Sequence, residues 1–447
     1  MAIVDSPPAL TTVTQAYRFA IDPSPEQANL LRSHIGGSRF CYNALLGLVK
    51  ANWDENRTHR EAGEDVANED YLGTSHFDLL YLWAAKRDEL APWWGENGSS
   101  TYNDAAQRLS RAFANWRKGV GKFPTFKSRG RSGSVRFTNQ TVRLTDAHHV
   151  RVARIGEVKT YESMRKLHRH LERGTGRILA ATVSQASGRW WISFTVEVQR
   201  AIPTTRPPER VIGVDVGIST LYTGATPCGE HVLSVVNPRN YQKSEARLAR
   251  AQRVSARRQG PRRDVAPSNR WLRANARVKQ IHHQIADSRR NLIHETTTML
   301  AKHYDRIVIE DLNVKGMVRN HALAKHISDA SWGEFRRQLV YKTAWYGSEL
   351  VVADRFYPSS KTCSTCGTVK AKLPLDVREY TCEVCDLVIG RDHNAAINLD
   401  RWTSQSAAAG THSVAGRGGA VRPSRQNIDE PAHLVESSTE TPILVGA

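Results

Sequence analysis

Six cysteines occur in the 447 residues, and four of them, Cys363, Cys366, Cys382 and Cys385, fall within 23 positions. They read C-S-T-C, then fifteen residues, then C-E-V-C. Two tight knuckles of this kind offer four soft thiolates to one tetrahedral ion, which is how Zn²⁺ is held. All four positions are cysteine, so no coordination site stays open, and the spacing predicts one structural zinc and not a catalytic one. Gly367 can take the left-handed turn after the first knuckle. Asp386 stands in that place after the second, and Asp tolerates the conformation better than most residues. Cys41 and Cys228 lie far from the cluster and read as plain thiols. The pairs His148–His149 and His282–His283 lack partners at ligand spacing and read as surface residues.

A second set of residues could do harder chemistry. Asp215 interrupts the apolar run VIGVDVG (211–217), Glu310 ends the run IVIE, and Asp392 opens a helical pattern directly after the cysteines. An ionised carboxylate inside an apolar strand costs on the order of several kcal/mol unless a cation satisfies it. Three acids at the ends of core elements can meet on one edge of a sheet, where hard oxygen ligands hold Mg²⁺. Two such ions can activate a water and stabilise the leaving 3′ oxygen in phosphodiester cleavage. Spacing alone leaves a plainer alternative for Asp392, an acid satisfying the N-terminal dipole of its helix. Asp311 points to the opposite face of its strand from Glu310 and reads as structural.

The charge has one sign. Lys and Arg total 63 against 44 Asp and Glu, a formal net charge of +19. An excess this large points to a polyanionic partner, with solubility alone as the plain alternative. Between Gln107 and Arg136 there is no acid and nine basic residues, with Phe113, Trp116, Phe123 and Phe126 among them. Cations for phosphates and rings for bases suit nucleic acid, the alternative being a packed aromatic face beside a solvated basic one. Arg108, Arg111, Arg117, Lys118, Lys122, Lys127 and Arg129 are the candidate contacts there. From Arg239 to Arg290, fifteen Lys or Arg face only Glu245, Asp264 and Asp287, with Arg247, Arg250, Arg257 and Arg258 as candidates. That imbalance predicts a phosphate-tracking surface. The sequence shows no helix-turn-helix or other evident module for reading base edges.

These residues need elements to position them. The alternation Tyr17, Phe19, Ile21 reads as a strand, and Ser24 with Gln27 as a capping box opening a helix. Residues 56–74 are polar and read as loop. Helical patterns return at 76–91 and 100–119, so 24–119 reads as a helical bundle. Short strands dominate 135–199, clearest in WISFTVEV (191–198), where Ile192, Phe194, Val196 and Val198 face one way. They predict a small antiparallel barrel, completed by the strand near residue 17, with the bundle inserted between. After a Pro-rich linker come a buried strand (211–217) and two hairpin strands. Two long helices (near 241–259 and 268–303) and a strand (306–311) follow. A helix (331–349), a strand (350–356), the cysteine cluster and a final helix (391–402) complete the order. That order is that of a ribonuclease H-like domain, in which acids of the first strand, fourth strand and last helix converge. Residues 403–447 read as a mobile tail.

VIGVDVG, IVIEDL, SSKTCSTCG, C-E-V-C and GRDHNAAINLDRW, in this order, resemble the RuvC and zinc-ribbon segments of the TnpB family, transposon-encoded relatives of type V CRISPR effectors. PSPEQANLL, SRFCYNALL and FPTFKSR resemble the family's amino-terminal segments. The resemblance covers residues 13–402 in kind and is most specific from 211 to 402. It implies catalytic, Mg²⁺-binding carboxylates at Asp215, Glu310 and Asp392, two catalytic Mg²⁺, and one structural Zn²⁺ on Cys363, Cys366, Cys382 and Cys385. Gly390 stands where many relatives carry an acid, and Asp386 where many carry Gly; neither change removes a ligand.

The implied fold is multidomain α+β. A helical recognition domain (24–119) is inserted in a wedge-like β-barrel (1–23 and 120–200). A linker (201–210) leads to a ribonuclease H-like RuvC nuclease (211–358 and 390–402) with an inserted zinc ribbon (359–389) and a disordered tail (403–447). The implied function is RNA-guided DNA cleavage: a guide RNA from the transposon end, double-stranded target DNA with a short flanking motif, and a monomer on its guide. A nuclease-inactive RNA-guided repressor on the same scaffold is the alternative, and the intact acids argue against it. A transposase would need a strand-transfer or Tyr-nucleophile signature, which is missing. A guide-free resolvase would not need the 200 residues before the nuclease. No apolar run spans a membrane and the start MAIVDSPPALTT is no secretory signal, so a cytoplasmic, nucleoid-associated prokaryotic protein is expected.

Overall fold

The computed structural model describes residues 9–67, 70–128, 133–186, 188–202, 210–262, 265–374 and 376–408. Most of the expected linker (203–209), the tail from 409 onward and Arg129 lie outside the described residues. The described residues divide into two compact units, one from Thr12 to Gln199 and one made of residues 9–11 and those from Arg200 to Ala408. No helix of the described residues is long and apolar enough to cross a membrane.

In the first unit, strand β1 (Ala9–Asp22) leads into helix α1 (Pro25–Glu61), whose start is fixed by reciprocal bonds between Ser24 and Gln27. The helix continues past residue 56, where a loop was expected. It does so because the returning chain uses its polar residues. Asn52 and Asn56 donate to the Asp70 carbonyl at 3.0 and 2.8 Å, and Trp53 to the Leu72 carbonyl at 3.2 Å. Helices α2 (His76–Leu90) and α3 (Ser99–Arg117) join it around Leu45, Leu46, Val49, Leu79, Trp83, Leu109 and Phe113.

Strands β2 (Ser134–Thr138), β3 (Val142–Leu144), β4 (His149–Val152), β5 (Gly156–Thr160), β6 (Gly176–Ala186) and β7 (Arg189–Ile202) follow, with helix α4 (Arg165–Glu172) between β5 and β6. The strand order β2-β6-β7-β1-β5-β4-β3 puts the first strand in the middle of one seven-stranded, barrel-like sheet. Helices α1 to α3 therefore lie in the chain between two parts of that sheet. On β7, Ile192, Phe194, Val196 and Val198 are buried, and the residues between them are half-exposed. Helix α4 was not expected; its sequence, RKLHRHLE, is polar and buries only Leu167.

The second unit opens with β8 (Val211–Val216), β9 (Thr220–Ala225) and β10 (His231–Val236), an antiparallel run. Helices α5 (Asn240–Ala256) and α6 (Asn269–His303) pack together through Leu248, Ile281 and Ile285. Strand β11 (Arg306–Glu310) then returns beside β8 and parallel to it. Helices α7 (Val314–Met317), α8 (His321–Ala330) and α9 (Trp332–Tyr346) lead to β12 (Glu349–Ala353), parallel to β11. The sheet order is β10-β9-β8-β11-β12. β12 is shorter than expected because Asp354 begins a turn, its carbonyl accepting from the Tyr357 amide at 3.1 Å. The hairpin β13 (Glu379–Thr381) and β14 (Val388–Gly390) belongs to the cysteine segment. Helix α10 (Arg391–Ala408) follows and runs six residues beyond its expected end at 402. One face of β8 and β11 packs Ile212, Val214, Ile307 and Ile309 against Leu300, Phe335 and Leu339, as a strand buried on both faces requires.

Candidate functional site

The parallel register of β8 and β11 sets Val308 opposite Gly213 and Ile309 opposite Val214, so Glu310 falls beside Asp215. Side chains alternate along a strand. Gly213, Asp215, Val308 and Glu310 therefore share the face away from Ile212 and Ile307. Helix α10 covers that face, with Leu399 against Val308 and Ala353. Gly213 permits the approach: a Cβ there would lie 2.1 Å from the Ala396 carbonyl oxygen and 2.5 Å from the Asp400 nitrogen. At the start of α10, Asp392 brings Oδ2 to 3.7 Å from where a Cβ on Gly217 would stand, beside the turn after β8.

The Asp215 carboxyl feels the other two acids. Burial, and then the Glu310 and Asp392 charges, push the Asp215 carboxyl well above the usual range, while Arg391 opposes them. Glu310 is raised by burial, against the Ser359 hydroxyl and Arg391. Crowded carboxylates held in this way are short of positive charge, and a bound cation relieves them. Asp311 faces the other way and is held by Arg336 at 2.5 Å and by Arg355. The bond to Arg336, and then that to Arg355, pulls its carboxyl below the ordinary range.

The cysteines are drawn tighter. The sulfurs of Cys363 and Cys385, and of Cys366 and Cys382, stand 3.6 Å apart, and all four lie within 4.8 Å of one another. A tetrahedral ion with metal–sulfur bonds of about 2.3 Å separates its ligands by about 3.8 Å, so the set fits zinc. The amides of Thr365 and Val384 donate to the sulfurs of Cys363 and Cys382 at 3.4 and 3.5 Å. Gly367 and Asp386 take φ of 76° and 54°, the left-handed turns expected of them. The carboxylate oxygens of the triad are not gathered within 4.8 Å in this way.

Several residues at this site were not singled out in the sequence. The Ser359 hydroxyl donates to Glu310 Oε1, and its carbonyl accepts from Asn398 Nδ2 at 2.8 Å. Asn394 Nδ2 donates to the Thr362 carbonyl at 2.7 Å, and its Oδ1 accepts from the Ser364 amide at 2.9 Å. Two asparagines four apart on α10 thus clamp the start of the cysteine segment to the helix that carries Asp392. Their spacing in N-A-A-I-N was the available signal, because residues four apart share a helix face. His149 also departs from expectation. It has a partner, Asp146 Oδ2 at 2.9 Å, and with Glu157 the pair forms a three-group surface cluster.

The basic candidates divide. Arg108 is paired with Asp104 at 2.6 Å, and Arg117 donates to the Thr74 hydroxyl. Lys127 lies 3.8 Å over the Tyr42 ring, its ammonium pushed down to about 8 chiefly by burial. Phe113 is buried against Trp53 and Phe123, while Trp116, in ring contact with Trp53 and Phe123, keeps 37% of its surface exposed and Phe126 57%. Arg111, Lys118 and Lys122 are exposed. On α5 and just after it, Arg250, Arg257 and Arg258 are exposed, as is Arg247, which bonds Gln284 at 2.9 Å.

Three family models match the chain: "Helix-turn-helix domain" over residues 12–58, "Probable transposase" over 193–321, and "Cas12f1-like, TNB domain" over 332–399. The first description departs from the expectation that no helix-turn-helix is present, yet residues 12–58 form a strand and one unbroken helix. A provisionally named RNA-guided DNA endonuclease of Streptomyces pristinaespiralis is 36% identical over 93% of this chain and 94% of its own length. InsQ of Escherichia coli K12, provisionally named the same, is 28% identical over 95% of this chain and 99% of its own. A chain from the solved Cas12f1–sgRNA–target DNA complex aligns with a TM-score of 0.49 at 11% identity, covering 87% of this chain and 99% of that one. The chain belongs to the TnpB family, and its relatives from Streptomyces and Mycobacterium are provisionally named RNA-guided DNA endonucleases.

Proposed function

We propose that this protein is an RNA-guided DNA endonuclease that hydrolyses phosphodiester bonds at Asp215, Glu310 and Asp392. The observation that carries the reading is the register of β8 and β11, which sets Glu310 beside Asp215 under the helix that bears Asp392. The sheet order, with three antiparallel strands followed by two parallel ones, supports a ribonuclease H-like (RuvC) domain. The four cysteines would hold one structural Zn²⁺ in a ribbon inserted before its last helix. The three carboxylates would hold two Mg²⁺, which supply Lewis-acid stabilisation of the attacking and leaving oxygens. Arg391 tempers the carboxylate charge, and the Ser359 hydroxyl fixes Glu310.

The exposed cations of α3 and α5 would track the backbones of a guide RNA and its DNA target. Such contacts position a duplex and carry little sequence information. Base pairing with a bound guide then supplies long-site specificity, next to a short motif in the duplex. The protein should therefore purify with RNA and act as a monomer on it. Two plasmids are offered to RNA-free protein and to protein carrying a guide for each. Guided protein should cut only the matching plasmid, with Mg²⁺ and the flanking motif present. Cutting of one chosen sequence by RNA-free protein would establish a guide-free nuclease instead. Matching without cutting would establish a repressor.

A further inference from the structure

Phe356 leaves 86% of its surface open, more than any other large apolar side chain among the described residues. It stands on the loop between β12 and the first cysteine knuckle, and that loop is firmly held. Asp354 Oδ1 accepts from the Phe356 amide at 2.8 Å, and the Tyr357 hydroxyl donates to the Asn398 carbonyl at 3.1 Å. On one side the Arg355 guanidinium grips Asp311; further on, the Ser359 hydroxyl reaches Glu310. The residues flanking Phe356, Arg355 and Tyr357, line a cleft together with Glu310, Leu312, Ser359 and Lys361. An apolar ring is thus held out in water, on a fixed loop, at the rim of the cleft that contains a carboxylate of the proposed active site.

Core packing does not explain this placement. Single-stranded nucleic acid does offer such a ring a partner, since every base has a π-face and cations beside the ring take the phosphates. Lys361 supplies such a cation in the cleft, and Arg355, although paired with Asp311, keeps half of its side chain exposed beside the ring. A double-stranded partner would keep its bases stacked inside the helix, so the matching ligand is a single strand.

We propose that Phe356 is a substrate-positioning residue whose ring stacks on a base of the single DNA strand entering the cleft, and so sets which phosphodiester stands at Asp215 and Glu310. The inference rests on the nuclease reading above. The test compares wild type, Phe356→Ala, Phe356→Leu and Phe356→Trp as full-length, guide-loaded proteins. Phe356→Ala should raise KM for the DNA strand about tenfold, leave kcat little changed and spread the cut positions. Phe356→Trp should restore both, and Phe356→Leu, apolar but without a π-face, should not. With metal removed by EDTA, a short single-stranded oligonucleotide should quench extra fluorescence in Phe356→Trp relative to wild type. Wild-type KM and cut positions in Phe356→Ala or Phe356→Leu, or no extra quenching, would overturn the proposal while leaving guided cleavage intact. Wild-type protein that fails to cut under any guide would remove the nuclease reading, and the quenching arm would still decide whether the ring meets a single strand.

Discussion

The four cysteines come from one stretch of 23 residues and bring paired sulfurs to 3.6 Å, whereas the three carboxylates come from positions 215, 310 and 392 and are not gathered so closely. The first centre is closed by local turns, two knuckles with left-handed residues at Gly367 and Asp386. The second is closed by a sheet register and by one helix lying on Gly213. Soft ligands packed to tetrahedral spacing leave no room for a substrate. Carboxylates that burial leaves short of positive charge attract cations and leave oxygens of the substrate a place beside them. On the proposed reading one centre would hold and the other would act, and α10 meets the start of the cysteine segment through Asn394 and Asn398.

The largest effect should come from the acting centre. Asp215→Ala should slow guided cleavage by about a thousandfold or more, while guide RNA binding and zinc content stay at wild-type levels. Single-turnover cleavage and filter binding on the same preparations check it. Wild-type cutting by the Ala variants of all three acids would remove the site. Next in size, Cys382→Ser should lose the zinc and slow cleavage by about tenfold to a hundredfold, because the loop that carries Ser359 and the start of α10 both lean on the ribbon. Metal analysis with cleavage rates tests this, and retained zinc would contradict it.

A smaller change separates the two centres. Gly213→Ala adds a methyl group where the Ala396 carbonyl already lies, and should cost about 1–3 kcal/mol of stability while displacing Asp392. Cleavage should fall while zinc stays bound, measured by thermal melting, metal content and rate. Unchanged melting and cleavage would show that α10 does not depend on that contact. The smallest effect concerns Asp400, on α10, whose carboxyl is pushed up to about 6 by burial, against Arg401 and Arg306. The folded state thus binds this proton more tightly than the unfolded chain, so the contribution is full below about pH 4 and is lost as pH rises through 6. Asp400→Asn should therefore gain up to about 2 kcal/mol over wild type at pH 8 and little at pH 4. Equal differences at both pH values would show that the ionisation is not the cause.

The contrast between the centres also explains what could be read from the sequence. Cysteine spacing is a local property, and so were the turns at Gly367 and Asp386. Asp215, Glu310 and Asp392 stood out by type within apolar runs, yet only the register of two strands 95 residues apart brings the first two together. Ser359 was not legible because its role is a hydroxyl bond across 49 positions. The aromatic and basic residues near 107–136 were legible only in part. Their mixture looks alike whether the rings meet bases or Trp53, and packing takes up Phe113 and Phe123 while Trp116 and Phe126 stay exposed. Polar residues 56–61 looked like loop because their partners, in the chain that folds back near Asp70, were not visible as such.

The division between a holding and an acting centre can be tested in one titration. Guide-loaded protein is treated briefly with EDTA until cutting stops, then supplied with Mg²⁺ alone, while zinc per chain is measured by elemental analysis. The account predicts that Mg²⁺ alone restores cutting, that one zinc per chain remains throughout, and that Asp215→Ala protein stays silent under the same treatment. Recovery that requires added zinc, or full cutting by Asp215→Ala after Mg²⁺ is returned, would contradict it.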